Sequence, residues 1–387
     1  MTSAQRHEAR YQRRKAARTA DRERRVGDAL SFDTVFTFPH MYRSALMCYR
    51  GVSWKASVQA FKCRGGINVA RRMRELGSGV FRLRKSPEFI TRERGHERRI
   101  NSIHIVDRVP QKCNSYYSLK PVLHRGLIYD NYASQEGKGT DKARARLKCQ
   151  LERHIRRYGM TGGMIIFDFK GFFDSIRHGL VRWVLGRNYD DKRIIGLNMR
   201  IVRQAREKVG LVLGSENSQD FAISTPSSLD HFIREGLRID GSGRYMDDGF
   251  LIHHDFEYLK EAFGRICEFA DSLGFRLNMK KSRLIRFGQP FTMMKRKYAF
   301  AGKKIIIRPV RASVIRERRK IKKLYRRYLR GTMRLDAGIN SLNAWKASLR
   351  GCRCHKVVRS VERLYDRLYI HELLQREEER KLCSTKS

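Results

Sequence analysis

Gly243-Arg244-Tyr245-Met246-Asp247-Asp248-Gly249-Phe250-Leu251-Ile252 is the stretch on which the fold turns. Two adjacent carboxylates stand between an aromatic residue and an apolar run. The pattern suits a β-hairpin, with Arg244, Tyr245 and Met246 on one strand and Phe250, Leu251 and Ile252 on the other. Adjacent acids at a tight turn repel each other unless something positive lies between them and a third ligand. Hard divalent cations such as Mg²⁺, which take oxygen donors, meet that need.

The rest of the chain offers a third carboxylate. Met164-Ile165-Ile166-Phe167-Asp168 is a short apolar run that reads as a buried strand and delivers an acid at its end. Two strands that each present acid at one end can bring Asp168, Asp247 and Asp248 together. Such a set can hold two Mg²⁺ ions (or Mn²⁺), one activating a 3′-hydroxyl and both stabilising an in-line displacement at a nucleotide α-phosphate. Singly, each signal has an ordinary explanation. A strand-terminal Asp is usually a helix cap, and an Asp-Asp pair is usually a solvated turn. The order and spacing of the three together favour a site.

The bulk properties point the same way. The 387 residues carry a formal net charge of +45, yet 41% of them are hydrophobic, so the chain is a folded basic protein and not a disordered tail. So large an excess repels itself unless a polyanion neutralises it, and nucleic acid is the polyanion that such charge fits. No apolar run is long enough to span a bilayer, and no signal-peptide core is visible; the expected location is cytoplasmic, with no membrane partner. Eight scattered cysteines suit reduced thiols. Cys352-Arg353-Cys354-His355 lacks a second ligand pair at finger-like spacing, which argues against zinc there.

Along the chain, residues 1–79 read as a basic helical extension. Its first 25 residues hold Arg6, Arg10, Arg13, Arg14, Lys15, Arg18, Arg22, Arg24 and Arg25, either as a solvated helix or as an arm that orders on RNA. Phe36, Tyr42, Leu46 and Tyr49 recur at helical spacing, with Gly51 near a boundary. Val80 to Arg84 and Ile103 to Val106 alternate and predict strands joined through the basic turn Arg92 to Arg99. Helices are expected over about 139–158, 178–185, 191–208 and 256–273. Strands are expected at 163–167, 275–287 and 297–308. From Ala312 onward the chain reads as helical and strongly basic.

Several of these segments resemble the bacterial reverse transcriptases of the group II intron, retron and diversity-generating type, over about residues 80 to 310. Asp168-Phe169-Lys170-Gly171-Phe172-Phe173-Asp174-Ser175-Ile176 is similar to that family's first catalytic motif. Gly210 to Gln219 resembles the second, Tyr245 to Asp248 the third, and Leu273 to Ser282 the fourth. Phe291 to Phe300 resembles the fifth, a hydrophobic hairpin that grips the primer end. Asp107 to Gln111 and Asn131 to Thr140 resemble finger motifs. The resemblance implies an α+β right-hand polymerase: fingers over 80–162, a palm with an antiparallel sheet over 163–310, and a helical basic thumb over 311–387.

It also implies roles. Asp168 and Asp247 would be the principal metal ligands and Asp248 a supporting one. Phe173 falls where a bulky ring excludes a ribose 2′-hydroxyl. Lys281 stands where a lysine lies near the leaving pyrophosphate. Arg98 and Arg99, with Arg92 and Arg94, lie on the finger turn, where a guanidinium can grip triphosphate oxygens. Leu213, Gly214, Gln219 and Tyr245 would border the nucleotide site, and Asp174 would be a structural hydrogen-bonding residue.

Two departures bear on biology. Most relatives have Gln-Gly and then Ser-Pro in the second motif; here Leu213 precedes Gly214, and Gln219 follows Ser218. That pairing resembles the diversity-generating enzymes and implies relaxed fidelity opposite template adenine. Asp220 and Phe221 depart from the small apolar residues expected there in those enzymes and incline the reading to anti-phage defence. Both settings stay open, as does a non-catalytic RNA-binding palm protein. The partners implied are an RNA template (a dedicated structured non-coding RNA), a DNA or RNA primer with its cDNA, dNTPs, and a protein partner or second copy. No endonuclease or RNase H segment is recognised after the fifth motif, which favours a dedicated, immobile enzyme.

Overall fold

The computed structural model describes residues 2–27, 31–93, 96–205 and 208–384. Arg94 of the basic turn lies outside them, as do the side chains of Arg22 and Arg25. The fold is α+β, mostly helical, with small antiparallel sheets. The chain divides into two compact units, Met1–Leu147 with Gly162–Leu284 and Lys148–Thr161 with Ile285–Ser387. None of the described helices is long and apolar enough to cross a membrane.

The first unit is built on three strands that the hydrophobic pattern dictates. β3 (Gly163–Asp168) is buried at every residue, and β5 (Asp248–His253) at every residue after its first. They pair antiparallel, with Met164 opposite Ile252 and Asp168 opposite Asp248. β4 (Gly241–Tyr245) pairs on the other side of β5, with Tyr245 opposite Asp248. The helix Phe256–Ser272 packs on this sheet through Leu259, Ala262, Ile266 and Ala270. That spacing of three and four residues places all four on one face. Asp255 caps the helix by accepting a hydrogen bond from the Tyr258 N–H. β6 (Arg283–Arg286) completes a sheet of order β4-β5-β3-β6.

The N-terminal segment is helical, as its pattern predicts: Ser3–Gly27, Phe38–Tyr49, Ala56–Cys63 and Gly65–Gly77. The stretch 80–106 departs from expectation. Residues 80–87 form no strand; Phe81 is instead buried beneath the Arg72 guanidinium, and the Arg84 N–H donates to Asp107. Ile103 to Val106 is not a strand either. His104 caps a helix, Ile105–Asn114, whose Ile105, Val109 and Cys113 are buried at helical spacing. Four alternating residues are too few to separate the two periods. The strands here are β1 (Glu88–Glu93) and β2 (His96–Asn101), an antiparallel hairpin around the basic turn.

The expected helix over 191–208 is shorter, Lys192–Val202, and 275–287 holds only the isolated bridge Leu277–Phe169 before β6. The region after Gly214 forms helical segments Glu216–Ser224, Ser227–His231 and Phe232–Gly236.

The second unit carries β7 (Phe291–Met293), β8 (Arg296–Ala301) and β9 (Lys304–Pro309), a three-stranded antiparallel sheet. β7 and β8 make the short hairpin expected at Phe291 to Phe300, with the Phe291 and Tyr298 rings stacked. Three helices follow, Arg311–Leu329, Asp336–Ser348 and His355–Ser384. They bury Ile321, Leu342, Trp345, Val361, Tyr365 and Tyr369 against one another. Arg316, Arg318, Arg319, Lys320, Lys322 and Lys323 remain exposed.

Candidate active site

The register of β3, β4 and β5 assembles the acids. Asp168 and Asp248 are cross-strand partners, and Tyr245 pairs with Asp248 from the other side. Met246 and Asp247 are therefore the two-residue loop of the hairpin, so Met246 belongs to the turn and not to the strand where its apolar character suggested it. The Asp247 carbonyl accepts the Phe169 N–H at 3.2 Å, and the Asp168 carbonyl accepts the Asn278 N–H at 2.7 Å. Three chain segments are thus laced together around the carboxylates.

Met246 has a φ of +54°, a left-handed conformation that a non-glycine residue enters at a cost of about 1–2 kcal/mol. Arg244 holds it there. Its Nη1 donates to the Met246 carbonyl at 2.9 Å. Its Nη2 donates to Asp230 at 2.7 Å and to the Ile223 carbonyl at 2.8 Å, and its Nε to Asp230 at 2.9 Å. The guanidinium is 1% exposed, so it must be paired, and every nitrogen has a partner. Sequence reasoning saw Arg244 only as a strand residue and missed Asp230. An arginine next to the acid turn was the one available signal.

Glycines admit rings on both sides of the turn. A Cβ on Gly249 would meet the Phe167 ring at 2.1 Å, and one on Gly243 the Phe250 ring at 2.8 Å. The residue after the acid pair must therefore be glycine for Phe167 to pack beside Asp168.

The charge balance of the cluster is unequal. Lys281 Nζ lies 3.1 and 3.2 Å from the two oxygens of Asp168. Asp247 is held above the usual carboxylate range, first by burial and then by the charge of Asp168, while Lys281 and Arg98 pull the other way. The oxygen donors of the three acids are all carboxylate. That donor set suits a hard divalent cation such as Mg²⁺.

Several of the other sequence-predicted residues lie apart from the acids, at a cavity. Arg98, Arg99 and Leu213 line a cavity of about 920 Å³, together with Arg84, Lys85 and Asp174. Asp174 is exposed on its wall. Asp168, Asp247 and Asp248 do not line this cavity; Arg98 spans both settings, lining the cavity while its charge acts on Asp247. The Leu213 carbonyl accepts the Asn101 N–H at 2.8 Å, so the second motif is tied by its backbone to the base of the β1–β2 hairpin. Gly214 has a φ of +118°, and a Cβ there would meet the Asn101 carbonyl oxygen at 2.4 Å. Phe173 is half-buried edge-on to Phe172, and its carbonyl accepts the Leu211 N–H at 2.9 Å. Gln219 is in neither place. It is exposed on the helix Glu216–Ser224 and accepts a hydrogen bond from Ser134 at 3.0 Å.

The start of that helix is fastened by groups that sequence reading did not single out. Ser215 caps it and donates to Gln111 at 2.8 Å. Glu216 accepts from Lys112 and Lys120. Burial alone would raise its carboxyl, but the two ammonium groups outweigh this and hold it below the usual range. Asp220 accepts from Ser115 at 2.5 Å and lies 3.1 Å from His124. Its departure from an apolar residue is thus a buried polar link to the helical segment 115–126.

Among the described residues, Cys352, Cys354 and His355 do not form a metal-ligand group, and none of the seven described cysteines is in a disulfide. The chain matches no protein-family model, and no curated protein matches it significantly.

Proposed function

We propose that this chain is an RNA-directed DNA polymerase of the right-hand type, similar to bacterial reverse transcriptases, with Asp168, Asp247 and Asp248 as the ligands of two Mg²⁺ ions. The observation that carries the reading is the β3–β5 register. It sets Asp168 against Asp248 with Asp247 in the adjoining turn, close enough for the Asp168 charge to act on Asp247, so acids far apart in sequence offer oxygen donors from one end of the sheet. When bound, the ions supply activation of a 3′-hydroxyl and neutralisation of charge at the α-phosphate.

The chain's own residues do the rest. Lys281, already at Asp168, provides a cation for the leaving pyrophosphate. Arg98 and Arg99 offer guanidinium groups to the triphosphate from the β2 strand. Phe173 excludes the 2′-hydroxyl of a ribonucleotide by bulk. The exposed cations of the helix Arg311–Leu329 neutralise template-primer phosphates as a thumb would. The substrate is a primed, structured RNA, and the setting is anti-phage defence. Leu213 favours a second reading, a low-fidelity diversity-generating enzyme, because an apolar side chain there cannot hydrogen-bond an incoming nucleotide.

Purified chain with Mg²⁺, dNTPs and a primed RNA should extend the primer. Asp247→Asn should lower extension at least about 10³-fold, the loss of several kcal/mol of transition-state stabilisation, and leave RNA affinity within about twofold. Phe173→Ala should admit ribonucleotides. Wild-type protein that binds RNA yet extends no primer on any template would leave a non-catalytic RNA-binding protein instead.

A further inference from the structure

At the end of the β4–β5 hairpin away from the acid turn lies a second group of ligating side chains. Asp240 immediately precedes β4, His253 ends β5, and His254 follows it. One potential ligand atom from each lies within 4.8 Å of the others, the one such group among the described residues. The length of β5 puts it roughly 16 Å from Asp248, at about 3.3 Å per residue, so it is no part of the acid cluster.

We propose that Asp240, His253 and His254 bind a borderline divalent transition-metal ion of the Zn²⁺ class. Two imidazoles and one carboxylate suit zinc and not Mg²⁺, which takes oxygen donors. The imidazoles are prepared for it. His253 Nδ1 lies 3.1 Å from the Asp255 carbonyl and 3.1 Å from the Asp255 backbone nitrogen, so the Asp255 backbone fixes the orientation of this ring, as outer hydrogen-bonding groups do for metal-ligating histidines. Asp240 Oδ2 accepts the His254 backbone N–H at 2.9 Å and lies 2.7 Å from His254 Nδ1, so the carboxylate is already oriented. Metal binding releases to solvent any proton shared between those two groups.

The supporting backbone is closely packed. A Cβ on Gly162 would meet the His253 carbonyl oxygen at 2.1 Å and His254 Cα at 2.6 Å, so the chain entering β3 lies directly on both ligands. The Tyr258 ring sits 4.9 Å from that of His253. Asp240 and His254 are exposed, which gives an ion access and leaves coordination positions for water. A bound ion ties the start of β4 to the end of β5 and so braces the hairpin whose other end carries Asp247 and Asp248. The proposal stands independently of the polymerase reading.

The test uses the full chain carrying Cys63→Ser, Cys149→Ser, Cys267→Ser, Cys352→Ser and Cys354→Ser, which removes the described thiols that are not buried, treated with chelator and then held in excess Mg²⁺. Zn²⁺ titration by calorimetry should give one site with Kd at or below about 10 µM, as expected of a mixed imidazole–carboxylate set. Co²⁺ should give the visible absorption of a low-coordinate nitrogen–oxygen site. Zn²⁺ at a hundred times Kd should raise Tm by about 3–5 °C. Asp240→Asn and His254→Gln should each weaken Zn²⁺ at least tenfold and abolish the Co²⁺ band, with the metal-free Tm little changed. Undiminished Zn²⁺ affinity in both variants, or no saturable binding below about 100 µM, would reduce the group to a hydrogen-bonded His–Asp pair.

Discussion

At the scale of single residues, the acid turn is held in a conformation it would not choose alone. Met246 sits at positive φ because the fully buried Arg244 takes its carbonyl, and Arg244 is buried only because Asp230 neutralises it. The acids themselves were legible: an apolar run ending in Asp168 and an aromatic-flanked acid pair are local patterns. The brace was not, because Asp230 lies 14 residues from Arg244 in a stretch with no period to mark it. Asp247 yields a stability prediction. Its folded-state pKa is raised, first by burial and then by Asp168, so in metal-free protein the ionised form destabilises the fold. For a raised carboxyl the unfolded state binds fewer protons in the window between the two pKa values, and stability falls as pH rises through it. Metal-free Asp247→Asn should therefore be more stable than wild type at pH 7. That advantage should shrink as pH falls through the folded-state pKa and vanish below about pH 4, the unfolded carboxyl value. Urea denaturation at stepped pH measures this; a gain that grows toward acid would contradict it.

At the scale of elements, the β1–β2 hairpin carries Arg98 and Arg99 but buries little. The strands are exposed over most of their described side chains, and Arg92 and Arg99 pair only with Glu97 and Glu88 at the surface. Such pairs contribute little, about 0–1 kcal/mol. Its attachment at the base rests on the Asn101–Leu213 hydrogen bond and the close approach that Gly214 allows. Gly214→Ala adds a Cβ at 2.4 Å from a carbonyl oxygen and an unfavourable φ. It should loosen this element by about 1–3 kcal/mol without unfolding the rest. Trypsin cleavage within Arg92–Arg99 should quicken several-fold while the main thermal transition stays near its wild-type position. Unchanged cleavage would place the hairpin's stability elsewhere. The sequence indicated the turn here but misplaced its flanks. Ile103 to Val106 alternates over too few residues to resolve its period, and the helix is decided by the His104 cap and by burial of Val109 and Cys113.

At the scale of the whole molecule, a net charge of +45 on a folded chain makes the proposed binding to RNA an electrostatic matter. If the exposed arginines and lysines of the Arg311–Leu329 helix and the N-terminal helix reach six or more phosphates, affinity should fall about 10³-fold or more between 50 and 200 mM salt. Fluorescence anisotropy on a structured RNA measures the slope; a flat dependence would mean that this charge does not face the nucleic acid. Composition alone determined the charge excess from which a polyanionic partner is expected, because charge is a sum over residues and needs no fold. Periodicity determined β3, β5 and the helix Phe256–Ser272, because strand and helix repeats are local. What only the tertiary structure decided is which distant groups meet: Asp168 with Asp248 and Lys281, Arg244 with Asp230, Asn101 with Leu213, and Asp240 with His253 and His254. Those pairings follow from strand register and burial, which depend on the packing of the whole core, and no local pattern encodes them.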